Sequence, residues 1–483
     1  MLYLNGQWTQ GNGVPMQSEN PATGEVFWNG KSADSLQVEA AVSAARAAFP
    51  AWAYRPVEER LNILTAFRDL LESKRAELSA MISRETGKVR WDADGEAAAT
   101  IGKLNFTQKA WSERTPDKVS DMGGFSAALT HRPHGVMAVF GPYNFPAHLP
   151  NGHIMPALLA GNTVVFKPSE QTPATAEWMV KCWEEAGLPA GVLNLVQGER
   201  ETGVALAAAD IDGLLFTGSC TTGRLLHQQF AGKPEKLLAL EMGGNNALIV
   251  HAIDDVKSAV LETVLSAFTG SGQRCTCARR LILTDAAPVD DFVDQLIRIA
   301  ENLQVGDAET DPQPFMGPLI SNREADRLLQ AQEALLATGA KPLLPMRRVR
   351  EGLPFLSPGI LDVTGVDCPD EEYFGPLLKL SRVQTLDDAI SEANATQFGL
   401  SAGLFSNNRA DFDYCLPRLR AGIINFNKQT TGASGMAPFG GIGCSGNHHA
   451  AGYYAADYCA YPVASMVADQ LQLPETLPHG FSL

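Results

Sequence analysis

"GVMAVFG" (135–141), "NTVVFKPS" (162–169), "VLNLVQG" (192–198), "GLLFTGS" (213–219) and "KLLALEMGG" (236–244) are short apolar runs, each bounded by Gly, Pro or Ser. Helical stretches lie between several of them, such as Ala174 to Gly187, "ATAEWMVKCWEEAG". Apolar strands alternating with helices are the pattern of βαβ units around a parallel sheet. The alternation resumes past Glu241 with "NALIV" (246–250), the helix "DDVKSAVLETVLSAF" (254–268), "RRLILT" (279–284) and "VDDFVDQLIRIAENL" (289–303). The spacing therefore predicts two successive α/β units that meet near Met242 to Gly244.

Upstream, "NPATGEV" (20–26) opens with a strand and turn, and helices follow. "VEAAVSAARAAF" (38–49) has helical apolar spacing, and a helical stretch runs from Pro56 to a stop at Gly87. "GGFSAALTHRP" (123–133) alternates with period two and carries little core of its own, so it reads as a surface ribbon or a subunit-contact strand. The tail from Cys459 is Pro-punctuated and strand-like.

The 483 residues are enough for two or three cored domains. A formal charge of −16 disfavours a phosphate backbone as partner, so no nucleic acid is expected. No run reaches the ~20 apolar residues of a membrane helix. "MLYLNGQWTQ" (1–10) lacks the basic and apolar regions of a secretion signal. Eight cysteines are too sparse and unpatterned for a disulfide framework. These features lead us to expect a soluble cytoplasmic protein with no membrane contact.

Three glycine patterns compete as phosphate cradles. "GIGCSG" (Gly441, Gly443, Gly446) matches G-x-G-x-x-G, but no strand precedes it and no good helix start follows. "FTGSCTTGRLLHQQF" (216–230) is better placed, because its glycines Gly218 and Gly223 lie where a strand turns into a helix. Free N–H groups and the helix dipole would favour an anion there, although an ordinary βα turn has the same look. "VQGERETG" (196–203) has the same ambiguity. Lys167 and Glu170 of "FKPSE" suit a sugar diol or a solvated loop tip. A carboxylate facing a ribose favours NAD over NADP.

"SGQRCTCARR" (271–280) raises the question of chemistry. Zinc would need two more ligands, and neither His148 with His153 nor His448 with His449 has a standard spacing, so no metal is expected. A redox pair would be C-x-x-C. One nucleophile beside a neighbour remains. Glu241, after an apolar strand, is a candidate base, and Asn144 of "GPYNFP" a candidate oxyanion donor. Each has a bland alternative: a buried Cys, a solvated Glu, a capping Asn.

Taken together, "NFP", "KPSE", "FTGS…G", "EMGGN", "GQRC", "EEYFGP" and "PFGG" resemble, in order and spacing, the motifs of the aldehyde dehydrogenase family over essentially the whole chain. The resemblance implies an α/β fold with two Rossmann-like parallel-sheet domains and a small β oligomerisation element. Residues 1–113 and 133–241 would bind NAD, 242–458 would be catalytic, and 114–132 with 459–483 would supply oligomerisation strands of a homodimer or homotetramer. It makes Cys275 the nucleophile, Asn144 its oxyanion donor and Glu241 the base. Lys167 and Glu170 would meet the adenosine ribose. Gly218, Ser219, Cys220, Thr221, Thr222 and Gly223 would form the pyrophosphate loop, with Glu372 and Phe374 at the nicotinamide end.

Within that family, "GQRCTCARRL", "APFGGIGCSGNHH" and "YYAADYCAYP" most resemble the members acting on N-succinyl-glutamate 5-semialdehyde in arginine breakdown. Such a small-molecule aldehyde carries carboxylates, and Arg274 and Lys428 are candidate partners for them, or else structural ion pairs. Glutamate or succinate semialdehyde, or a catalytically silent relative, are the alternatives. Gly270 stands where the succinate semialdehyde group carries an Arg, which counts against that substrate.

Overall fold

The computed structural model describes residues 1–474 and 476–482; Glu475 and Leu483, both in the expected tail segment 459–483, lie outside the described residues. Its first sheet has seven strands in the order Leu237–Met242, Gly213–Gly218, Val136–Phe140, Thr163–Lys167, Leu193–Leu195, Leu2–Leu4 and Gln7–Thr9. The first five run parallel, and the N-terminal pair closes one edge antiparallel. Alternate residues of these strands enter cores on opposite faces. Met137, Val139, Val164 and Phe166 join one, and Val136, Ala138, Phe140 and Val165 the other. A sheet buried on both faces needs unbroken apolar runs, which is how these segments read.

The second sheet, also of seven strands, has the order Lys341–Leu344, Gly359–Asp362, Leu377–Val383, Ala278–Thr284, Asn246–Val250, Ser401–Phe405 and Ile423–Phe426. All but its first strand run parallel. Leu248 and Val250 face one core, while Ala247 and Ile249 face the other. The two sheets are joined where strand Leu237–Met242 ends and strand Asn246–Val250 begins. The carboxyl edge of one sheet therefore runs directly into the amino edge of the next.

Four helices, Ser35–Ala53, Val57–Ser73, Arg75–Thr86 and Arg90–Arg114, precede the first long strands of the parallel core. The helical stretch expected from Pro56 to Gly87 is broken at Lys74, whose φ of −106° and ψ of 20° leave the helix. Gly87 ends it in the left-handed region at φ 76°, a C-cap that glycine adopts without a Cβ penalty. The 123–133 segment forms strand Ser126–Pro133, which pairs with Lys118–Asp121 and along its whole length with Ala460–Val467. This three-stranded ribbon leaves Val119, Met466 and Val467 at least half exposed. "NPATGEV" links a separate hairpin, Pro15–Glu19 with Val26–Lys31. Among the described residues no helix is long and apolar enough to cross a membrane.

One remote contact fixes a helix start. Helix Pro173–Glu185 has no side-chain cap of its own, yet the buried Glu85 carboxylate accepts from the Ala174 and Thr175 amides at 2.8 and 2.6 Å. Burial raises the carboxyl above its ordinary pKa and these bonds oppose the rise. Glu85→Ala should cost about 3 kcal/mol by leaving two buried N–H groups unpaired, with Glu85→Gln milder; the urea midpoint of each variant measures it.

Candidate active site

The Cys275 loop is an irregular turn after helix Val256–Phe268. Gly270, Ser271 and Gly272 all lie in the left-handed region, at φ 62°, 57° and 72°. Ser271 is the unusual one, since a Cβ disfavours that region; its hydroxyl donates to the Gly317 carbonyl at 2.8 Å and is buried. Gly272 is required by space, because a Cβ there would sit 2.2 Å from the Gly375 carbonyl oxygen. "GQRC" and "EEYFGP" are therefore pressed together.

Asn246, at the start of its strand, pins the cysteine turn. Its amide donates to the carbonyls of Cys275 and Cys277 at 2.7 and 2.9 Å, while its oxygen accepts from the Ser401 amide. The Asn144 amide donates to the Gln273 carbonyl at 2.9 Å, which brings "GPYNFP" to the cysteine turn. The Cys277 thiol is fully buried and faces the Thr269 carbonyl at 3.7 Å. Cys275 is only partly covered. Burial pushes its thiol up strongly, the Glu241 and Glu372 charges push it further, and Arg279 opposes them.

Glu241 is 3% exposed, and among the described residues neither carboxylate oxygen has a hydrogen-bond partner. Desolvation alone raises its carboxyl well above the ordinary range. Its backbone bridges to Gly446, and Asn447 clamps the same strand by accepting from the Leu240 amide and donating to the Leu238 carbonyl. The "GIGCSG" loop thus serves as a buttress for the Glu241 strand. It contains only a short 3-10 turn, Gly443–Ser445, and no strand-to-helix phosphate turn. Thr217 lies in register beside Glu241, and its hydroxyl is 3.1 Å from His153, whose other ring nitrogen meets Tyr458 at 2.9 Å.

The two glycines after Glu241 have a steric cause. Glu372 Oε1 accepts from the Gly244 amide at 3.2 Å, and a Cβ on Gly243 would lie 1.8 Å from Glu372 Oε2. Burial lifts the Glu372 carboxyl to about 7 against the pull of Arg279. Arg279 is fully buried, 3.9 Å from Glu372, with its guanidinium over the Phe374 ring. It also donates to the Gly375 and Arg274 carbonyls. Sequence reading passed over Arg279 and Asn246; the one available signal was an Arg inside an apolar strand, where a charge must be paired.

The 218–223 turn opens helix Cys220–Phe230, with Ser219 as N-cap accepting from the Thr222 amide at 3.2 Å. Ser219, Thr221 and Thr222 are exposed and Cys220 is partly so, which leaves the helix start open to a ligand. Gly223 has no room for a Cβ, which would meet Met242 Sδ at 2.2 Å, so the helix start sits tight on the end of the Glu241 strand. Lys167 is buried at a strand end and donates to the Pro168 and Gly198 carbonyls at 2.9 and 2.8 Å; Glu170 lies partly exposed three residues on. The 218–223 turn thus offers an exposed helix N-terminus beside the end of the Glu241 strand, a geometry that suits an anion.

The two cations proposed for the substrate are placed differently. Arg274 lines a cleft of about 380 Å3, open to solvent, with Lys88, Asp92, Tyr143, Asn144 and Gln273. Its guanidinium is already engaged with the buried Asp92 carboxylate and lies over the Phe145 ring. Lys428 is 75% exposed and pairs with Glu262 at 3.4 Å, beyond the carboxyl end of strand Ile423–Phe426. Cys275 precedes a strand parallel to that one, at the opposite, amino edge of the sheet. The structure brings Cys275, Asn144, Glu241, Glu372 and Arg274 together and leaves Lys428 apart.

The aldehyde dehydrogenase family model matches residues 8–462. The N-succinylglutamate 5-semialdehyde dehydrogenase of Chromohalobacter salexigens is 56% identical over all of this chain and 99% of its own length. Its Escherichia coli counterpart is 54% identical over 99% and 98% of the two chains. Among solved structures, methylmalonate-semialdehyde dehydrogenase of Oceanimonas doudoroffii superposes with a TM-score of 0.92 at 27% identity, covering 98% of both chains. PnpE in complex with nicotinamide adenine dinucleotide gives 0.91 at 30%, again over 98% of both. The chain belongs to the aldehyde dehydrogenase family.

Proposed function

We propose that this protein oxidises N-succinyl-L-glutamate 5-semialdehyde to N-succinyl-L-glutamate with NAD, as a step of arginine catabolism by the succinyltransferase route. The observation that carries the chemistry is the convergence of a partly accessible Cys275 with Asn144 and an unpartnered Glu241 carboxylate. The substrate reading is supported by full-length relatives at 54–56% identity that carry that name. NAD over NADP is supported by Glu170, three residues past Lys167, whose charge would repel a 2′-phosphate.

Glu241 takes the proton of the Cys275 thiol and releases it to solvent, and the sulfur attacks the aldehyde carbon. A C–S bond forms, and the carbonyl oxygen takes the charge. One Asn144 amide hydrogen is committed to Gln273, which aims the second at that oxyanion together with the Cys275 backbone N–H. A nicotinamide dinucleotide would supply the hydride acceptor, and the residues that would hold it are Lys167 and Glu170 at the adenosine ribose, Gly218 to Gly223 at the pyrophosphate, and Glu372 and Phe374 at the ring end. Collapse of the oxyanion as hydride leaves turns the thiohemiacetal into a thioester. Glu241 then takes a proton from water, the water oxygen adds to the thioester carbon, the C–S bond breaks and the acid departs.

An unpaired, desolvated carboxylate has a high proton affinity, which suits a base whose partner is water. Below its raised pKa Glu241 is protonated and cannot accept that proton. Turnover should therefore climb with pH until Glu241 ionises. Glu241→Gln should flatten that limb and lower kcat by about 100-fold or more; a variant that keeps the wild-type rate and profile refutes the role.

Cys275→Ala should abolish NADH formation from the succinylated semialdehyde, while Cys277→Ala should keep most of it, since its buried thiol faces only the Thr269 carbonyl. The reverse outcome would exchange the two assignments. The exposed Val119, Met466 and Val467 favour burial of the ribbon between subunits. Met466→Asp combined with Val119→Asp should lower the mass measured by light scattering from a dimer or tetramer toward the monomer.

A further inference from the structure

Helix His148–Ala160 begins just past Asn144, and its first turns carry basic groups on several sides. Three cations act on the buried ring of His148: Lys103, Lys88 and Arg274. Two have carboxylates of their own. Lys88 pairs with the buried Glu96 at 2.6 Å, and Arg274 pairs with the buried Asp92. Lys103 has none, since among the described residues no ion pair or hydrogen bond reaches its ammonium.

Lys103 is partly buried on helix Arg90–Arg114 and packs across Gly152. A Cβ at Gly152 would stand 3.6 Å from Lys103 Nζ, an ordinary contact, so the ammonium lies over the helix surface at that glycine. Its neighbours offer no compensation. His153 and the ring Nδ1 of His148, which it also influences, are buried, and burial lowers both of their pKa values. Burial without a counter-ion holds the ammonium itself down to about 8. A partly buried cation without a counter-ion is stabilised when an anion arrives.

Gly152 lies one turn into helix His148–Ala160 and eight residues past Asn144, so a substrate reaching from Asn144 to Lys103 spans on the order of 10 Å. A carboxylate several bonds removed from an aldehyde carbon spans a gap of that size. We propose that Lys103 is a specificity-determining residue that binds a carboxylate of the semialdehyde substrate. The inference rests on the substrate reading above. It assigns to Lys103 the part that Arg274, already held by Asp92, and Lys428, remote on the surface, do not fill.

The test compares N-succinyl-glutamate semialdehyde with propanal in wild type, Lys103→Met and Lys103→Gln. Both variants should raise KM for the succinylated substrate by about tenfold or more while kcat/KM for propanal changes less than about threefold. Because the readout is a ratio of two substrates on one protein, damage to the fold lowers both rates and leaves the ratio intact. A wild-type preference that persists undiminished in both variants overturns the assignment of Lys103 and spares the substrate reading. A wild type that turns over propanal as efficiently as the succinylated substrate overturns both.

Discussion

The site depends on a close approach that side chains would forbid. Where the first sheet passes into the second, Glu372 presses its carboxylate against the backbone of Gly243 and Gly244, within 2 Å of where a Cβ on Gly243 would stand. Gly272 meets the Gly375 carbonyl in the same way from the cysteine turn. Three segments far apart in sequence, around residues 243, 272 and 375, are thus welded at the backbone. Each carries one candidate site residue two or three positions away: Glu241, Cys275 and Glu372.

Burial around that approach sets the electrostatics of the site. Glu241, Glu372 and Cys275 all favour their neutral forms, with burial the leading cause in each. The two carboxylates also raise the thiol, so ionisation of any one opposes the others. Arg279 opposes this for both Glu372 and Cys275, and it is buried beneath the turn instead of exposed to the ligand. Its hydrogen bonds to the Gly375 and Arg274 carbonyls make it a structural rivet as well as a charge.

Much of the architecture was legible before any coordinates. Strands buried on two faces must be apolar throughout, so "GVMAVFG" and "NALIV" announced themselves, as did the joint near Met242–Gly244. Glu241 and Cys275 were legible as unusual residue types at strand ends and turns. The break at Lys74 was not, because the residues on both sides favour helix equally. Nor was the cap of helix Pro173–Glu185, whose acceptor, Glu85, lies 89 residues upstream of Ala174. The G-x-G-x-x-G at 441–446 illustrates the converse: a pattern without its strand and helix folds into a brace for the base-bearing strand.

The sequence by itself determined the two-sheet α/β organisation and the family, because these follow from local periodicity and from residue types at short spacing. Which charge neutralises which was decided only by the tertiary structure. Arg274 and Lys103 look alike as letters, but Asp92 comes to one of them and no carboxylate to the other. A cation's role is set by the groups within a few ångströms, and here those groups come from helices and turns tens or hundreds of residues away.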